Sequence, residues 1–246
     1  MPPAILGRGQ GQKIERITLG RDRLANSGPL NHDSLEDFLN APPSESRGSG
    51  EGAVRDLDVR RALRREVLRR HEGEFDTLVI HELGLRHGIA RVDVAVVNGS
   101  LHGYELKSDS DTLERLPSQV RIYSAVLDKA TLVVGERHAA KALPLLPKWW
   151  GVKIATEGPR GGVSLQDEER GQMNPSVDAV AISELLWRAE VSEVLRNLGH
   201  SEKTLRKARA HLYQELSEAM PLDDLRATIR LMLKRRENWR DQQPPA

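Results

Sequence analysis

The 246-residue sequence has no cysteine, which excludes disulfides and thiolate metal sites. Aromatic residues are sparse at 4%, although a 38% hydrophobic content is enough for a packed core. No apolar run has the length needed to span a bilayer, and the opening MPPAILGRGQGQKIERITLG lacks the apolar centre of a signal peptide. The expectation is a soluble cytoplasmic protein with no membrane partner. There is no Gly-rich phosphate loop of Walker type, hence no nucleotide motor, and no HEXXH pair among the eight histidines, hence no catalytic zinc. A single-sign charge excess is also missing. The formal net charge is +1, so any basic surface that meets nucleic acid must be local. Arginine outnumbers lysine, which suits bidentate phosphate contacts but also follows genome base composition.

What is present divides the chain into four stretches. Residues 1–52, rich in Gly, Pro, Ser and Asn, bury too little surface to offset chain entropy and read as a disordered arm. Residues 53–158 read as an α/β core, 159–176 as a loop and 177–240 as an all-helical extension. In RDLDVRRALRREVLRRHEG, Val59, Leu63 and Val67 recur at helical spacing before Gly73. Its other faces carry Arg60, Arg61, Arg64, Arg65, Arg69 and Arg70 with few acidic residues between them. That stripe is either a solvated face or a phosphate-facing one.

TLVIHELGL is a short apolar segment of either type. RVDVAVV and LHGYELK then flank Asn98-Gly99 as a hairpin. DTLERLPSQVRIYSAVLDK follows as a helix, with Asp111 and Glu114 spaced as a capping box and Pro117 marking a kink or a first turn. ATLVVGE, HAAKALPLLPKWW and GVKIAT supply strand, helix and strand. The order predicts a mixed sheet of four to five strands flanked by helices. In the extension, Ser183, Ser201 and Pro221 are placed to start helices and Gly199 to end one.

The hairpin carries the chemistry. Asp93 shares a strand face with Arg91, Ala95 and Val97, opposite Val92, Val94 and Val96; Glu105 and Lys107 share a face, opposite Tyr104 and Leu106. Charges are costly in an apolar sheet unless something compensates them. A hairpin can bring Asp93, Glu105 and Lys107 onto one face, where two carboxylates would hold a hard cation beside a poised amine. Gln119 and Tyr123, four apart, share one face of the next helix. The bland alternative is a Glu105–Lys107 surface pair, with Asp93 bridged to Arg91 or Arg115.

Asp93, then Glu105-Leu106-Lys107, then Gln119 and Tyr123, resembles the PD-(D/E)XK nuclease superfamily. The Gln-X-X-X-Tyr helix is similar to that of RecB-type nucleases. HELGLRHGIARVDVAVVNGSLHGYELKSDSDTLERLPSQ, with LLWR and LKRRENWR further on, is similar to a bacterial and prophage group within the superfamily. The resemblance covers roughly residues 55 to 240 and is strongest over 80 to 135. It implies a restriction-endonuclease-like core and metal-dependent hydrolysis of phosphodiester bonds, with DNA as partner and Mg²⁺ or Mn²⁺ as cofactor. Asp93 and Glu105 would bind metal, with Glu82 as an additional upstream acid. Lys107 would position water, and Gln119 and Tyr123 would orient the substrate or the lysine. Residue 92 is Val where the superfamily's name has Pro. Arg60, Arg64, Arg115 and Arg121 are the candidate phosphate contacts. The rival function is a nuclease-fold protein that binds nucleic acid or regulates without cutting. Oligomeric state stays open.

Overall fold

Backbone pairing orders six strands by their sequence: β1 (Leu78–Leu85), β2 (Ala90–Val97), β3 (Leu101–Lys107), β4 (Lys129–Gly135), β5 (Gly151–Glu157) and β6 (Val163–Glu169). The first two pairings and the last are antiparallel, whereas β3–β4 and β4–β5 are parallel and need helical crossovers. These are α2 (Leu116–Val126) and α3 (Glu136–Ala142). The computed structural model describes residues 53–236. The arm expected over 1–52 and residues 237–240 of the extension lie outside them.

Both sheet faces are covered. On one, α1 (Asp56–Leu63) and the π-helical turn after it bury Val59, Ala62, Leu63 and Val67 against Val94, Val96, Tyr104, Leu106 and Val133. On the other, α2 and the C-terminal helices pack Leu116, Val120, Tyr123, Ile182 and Ile229 against Val92, Ala95, Leu101 and Leu132. Among the described residues no helix is long and apolar enough to cross a membrane.

The expected alternation along β2 breaks at the site. Val92 lies on the α2 side and Val94 on the α1 side, although both were expected on one face. The same change occurs on β1, where Ile80 and Leu83 share the α2 side despite being three residues apart. The register of the pair is unbroken, and Glu82, at φ 60°, stands between the residues that pair with Val92 and Val94. A positive φ at a non-glycine residue turns the chain enough to shift the facing of both strands together, at a cost on the order of 1–3 kcal/mol.

Other expectations are corrected. The hairpin connection has three residues, 98–100, with Ser100 N donating to Asn98 Oδ1 at 3.2 Å. Asp111 does not cap a helix: it accepts from Ser108 N and Oγ at 2.7 Å in the turn before α2, and Pro117 sits in that helix's first turn. The loop expected over 159–176 contains β6, an edge strand on β5 after a turn at Gly161 (φ 75°).

The extension is more broken than its periodicity suggests. Its elements are α4 (Ala179–Ser183), α5 (Arg188–Asn197), α6 (Glu202–Leu205), α7 (Arg209–Ala219) and α8 (Leu222–Arg235). Ser183 ends α4, its hydroxyl donating to Ala179 O; Asp178 caps that helix and Glu190 accepts from Trp187 N to start α5. The carbonyls orphaned at the breaks are taken by side chains. Tyr213 Oη donates to Leu186 O, Arg236 Nη2 to Leu185 O, and Arg188 Nη2 to Leu205 O and Lys207 O. Ser201 does cap α6, and Pro221 precedes α8. Asp128, fully buried at the start of β4, ties α8 to the sheet through Arg226 at 3.1 Å and Arg230 at 3.2 Å.

Candidate functional site

Beyond the Val94–Tyr104 pair, β2 and β3 no longer form ladder pairs. Asp93 fills the opening: its Oδ2 accepts from Leu106 N at 2.8 Å, replacing a strand partner. Its Oδ1 accepts from Arg60 Nη2 at 2.8 Å. Asp93 is thus bridged to Arg60 of α1, not to Arg91 or Arg115.

Glu105 and Lys107 point to the α2 side, and neither is on the surface, at 2% and 6% exposure. Lys107 Nζ and Gln119 Nε2 both donate to Glu105 Oε1 at 2.6 Å. Tyr123 Oη lies 2.6 Å from Glu105 Oε2 and 2.5 Å from the Arg91 carbonyl, so its one proton serves two acceptors. The Tyr123 ring is parallel to Trp150 with centroids 6.0 Å apart, which fixes the hydroxyl. Three residues from β3 and α2, Lys107, Gln119 and Tyr123, therefore meet on the Glu105 carboxylate. Pro117 lies in the first turn of α2, and their four-residue spacing puts Gln119 and Tyr123 together on its inner face.

Burial, and next the charge of Asp93, raises the Glu105 carboxyl above the ordinary carboxylate range, against the opposing pull of Lys107 and Tyr123. Burial, and then the Glu105 charge, pushes the Tyr123 hydroxyl far up, so it remains a protonated donor. Glu82 is raised by burial and by Asp93, and its carboxylate lies 3.8 Å from Arg60 and 3.9 Å from Arg91. It stands on the Asp93 side of the site.

Arg60 was expected on a stripe and instead turns into the site. Its Nε also donates to Asp56 Oδ2 at 2.8 Å. Although burial works the other way, Asp56 and Asp93 hold the guanidinium above its ordinary value. Asp56 was not among the residues singled out from sequence; its i, i+4 spacing to Arg60 was the available signal. The stripe has more acidic partners than its sequence suggests, for Arg61 meets Asp58 at 4.0 Å, Arg64 meets Glu72 at 3.5 Å and Arg65 meets Glu66 at 2.5 Å. Arg115 and Arg121 are exposed at the start and on the outer face of α2. His102 is apart from the site, on the α1 side, stacked on Tyr104 at 4.3 Å with Nε2 2.9 Å from Thr131 Oγ1.

Among the described residues, no group of three or more His, Asp or Glu side chains is arranged to hold a metal ion. Mg²⁺ requires only one or two carboxylates and keeps several waters. Asp93 and Glu105 supply two, close enough for one charge to raise the other's pKa. Around them, four carboxylates (Asp56, Glu82, Asp93, Glu105) face three cations (Arg60, Arg91, Lys107), leaving negative charge in excess. Gln119 Oε1 is buried with no hydrogen-bond partner, a free acceptor beside Glu105. Carboxylates and an amide oxygen are the kind of donor that a hard divalent cation takes.

The sequence model of the family described as bacteriophage P4 protein cII matches residues 60–243. Protein cII of Enterobacteria phage P4 is 25% identical over 124 residues, which cover 50% of this chain and 47% of that protein. The chain thus spans about half the length of this curated relative. A protein of unknown function from Silicibacter pomeroyi, 20% identical, covers 58% of this chain and 93% of its own with a TM-score of 0.35, too loose a likeness to bear on the fold. The family match takes in most of the described residues and every candidate site residue except Asp56, and the chain belongs to the bacteriophage P4 protein cII family.

Proposed function

We propose that this protein is a nuclease of the PD-(D/E)XK type that hydrolyses phosphodiester bonds of DNA with Mg²⁺ or Mn²⁺. The observation that carries the reading is the convergence of Lys107, Gln119 and Tyr123 on the buried Glu105, one strand from Asp93. A surface ion pair needs no such shell, and burying a carboxylate and an ammonium together gives little net stability. Asp93 and Glu105 are the residues that would hold the cation, with Glu82 beside them. When bound, the cation supplies charge stabilisation at the scissile phosphate. Lys107 is held by Glu105 where it would orient the attacking water, and Tyr123 and Gln119 fix Glu105 and so the lysine. In this reading Arg115 and Arg121, exposed at the start and on the outer face of α2, and Arg64, in the π-helical turn after α1, would meet the phosphate backbone.

One observation favours the non-cutting alternative. Asp93 and Glu105 already have internal partners, as the carboxylates of a purely structural or regulatory site would. Plasmid nicking by the purified full chain with Mg²⁺ or Mn²⁺ separates the two. Metal-dependent nicking lost in Glu105→Gln and Lys107→Met, with DNA binding kept, supports the nuclease. DNA binding without nicking in the unmodified chain supports the alternative.

A further inference from the structure

We infer that Arg60 competes with the divalent cation for Asp93, and that DNA relieves the competition by drawing Arg60 onto a phosphate. The inference rests on the nuclease reading and concerns how its site is filled. The guanidinium touches Asp93 Oδ1 at 2.8 Å and Asp56 Oδ2 at 2.8 Å, with Glu82 Oε1 at 3.8 Å. It therefore supplies positive charge to the acidic residues that would hold the cation. The Arg60 side chain is 28% exposed and that of Asp93 18%, so the pair lies at the mouth of the site, unlike the sealed Glu105–Lys107 pair at 2% and 7%. An ion pair with access to water exchanges partners readily, whereas a sealed one does not.

Two unlike anchors hold Arg60. Asp56 lies one turn earlier on the same helix and binds Nε, whereas Asp93 lies on β2 and binds Nη2. Loss of the Asp93 contact leaves the Asp56 contact able to keep the side chain near the site. From there its free nitrogens form a fork suited to a phosphate. The consequence is linkage. Without DNA, the cation must displace a guanidinium from Asp93; with a phosphate nearby, Arg60 has another anion to pair with. Metal and DNA then each raise the affinity for the other by the same factor.

The test measures Mn²⁺ affinity of the full chain by calorimetry, without DNA and with a short uncleavable phosphorothioate duplex. Arg60→Gln is expected to bind Mn²⁺ at least about tenfold tighter than the unmodified chain without DNA, and to lose most of the rise that the duplex produces. Asp56→Asn loosens Arg60 without removing it and should fall between the two; it also serves if Arg60→Gln folds poorly. A purely structural Arg60 predicts weaker binding on removal. Equal or weaker Mn²⁺ affinity in both variants, with the unmodified chain binding Mn²⁺, overturns the competition and leaves the nuclease reading standing. No Mn²⁺ binding by any of the three, with or without duplex, overturns both.

Discussion

Replacing Lys107 with Met tests how the buried pair is held, whatever the site does. Lys107 Nζ lies 2.6 Å from Glu105 Oε1. At an effective dielectric of 20, that contact is worth about 6 kcal/mol of Coulomb attraction. Desolvating the two ions costs several kcal/mol each, so the pair as a whole contributes close to nothing. Removing one partner is different, because Glu105 then stays buried beside Asp93 without its ammonium. Such losses run about 3–5 kcal/mol. Gln119 and Tyr123 remain as donors to Glu105, so the lower end, about 3 kcal/mol, is expected. Adding Glu105→Gln should restore most of it, giving a coupling energy of at least about 2 kcal/mol in the double-mutant cycle. The sign of the pH dependence follows from the raised Glu105 pKa. A carboxyl raised in the folded state leaves stability intact below its unfolded pKa, and stability falls as pH rises through the folded value. The deficit of Lys107→Met should therefore be full at neutral pH and close as the solution is taken below about pH 4.5, where protonated Glu105 needs no counter-charge. Urea denaturation followed by circular dichroism across that range reads both quantities. A coupling below about 0.5 kcal/mol with a pH-independent deficit would mean that water screens the pair, and the argument from burial would fail.

Asp128→Ala should cost about 3–5 kcal/mol in chemical denaturation, because it leaves Arg226 and Arg230, at 13% and 18% side-chain exposure, without their shared carboxylate; an effect under about 1 kcal/mol would show the three charges to be solvated. Glu82→Gly should raise thermal stability by about 1 kcal/mol, because glycine takes φ 60° without strain, while lowering any nicking activity; a lower melting temperature would refute strain at this residue. Burial, aided by Lys129 and Arg70, lowers the His102 pKa to about 3. A histidine depressed in the folded state gives stability that is full above its ordinary 6.5 and is lost as pH falls towards that value of about 3. His102→Gln should thus remove up to about 1.4 kcal/mol per pH unit of acid-side slope. NMR titration of His102 between neutrality and pH 5 would contradict this.

The hairpin and its charges were legible because acids and a lysine in an apolar strand demand a reason, and the reason lay within the next turn of helix. Gln119 and Tyr123 were legible from their four-residue spacing. The facing of Asp93 was not. Alternation assumes an unbroken pleat, and the break comes from the backbone of Glu82, on a different strand. β6 was hidden because an edge strand such as VSLQDEE is held by backbone pairing to β5 while most of its side chains stay in water, leaving no apolar alternation to read. The breaks at 184–187 and 206–208 were hidden because the donors that satisfy the freed carbonyls, Tyr213, Arg236 and Arg188, lie 27, 51 and 17 residues away in sequence. Arg60 looked like one of six arginines on a stripe; only the packing of α1 on the sheet turns it inward.

Because the strands lie in the sheet in the order they occur in the chain, each segment emerging from the ribosome meets its partner already made, and the sheet can grow from one edge during synthesis. Every candidate site residue from Glu82 to Tyr123 is present before β4 is complete. Asp128 is the exception to this local economy. It enters the interior with β4, yet Arg230 arrives 102 residues later. Until α8 docks, Asp128 has the Leu101 amide as a hydrogen-bond donor but neither Arg226 nor Arg230 to balance its buried charge, so the last helix acts as a checkpoint on the strands laid down before it.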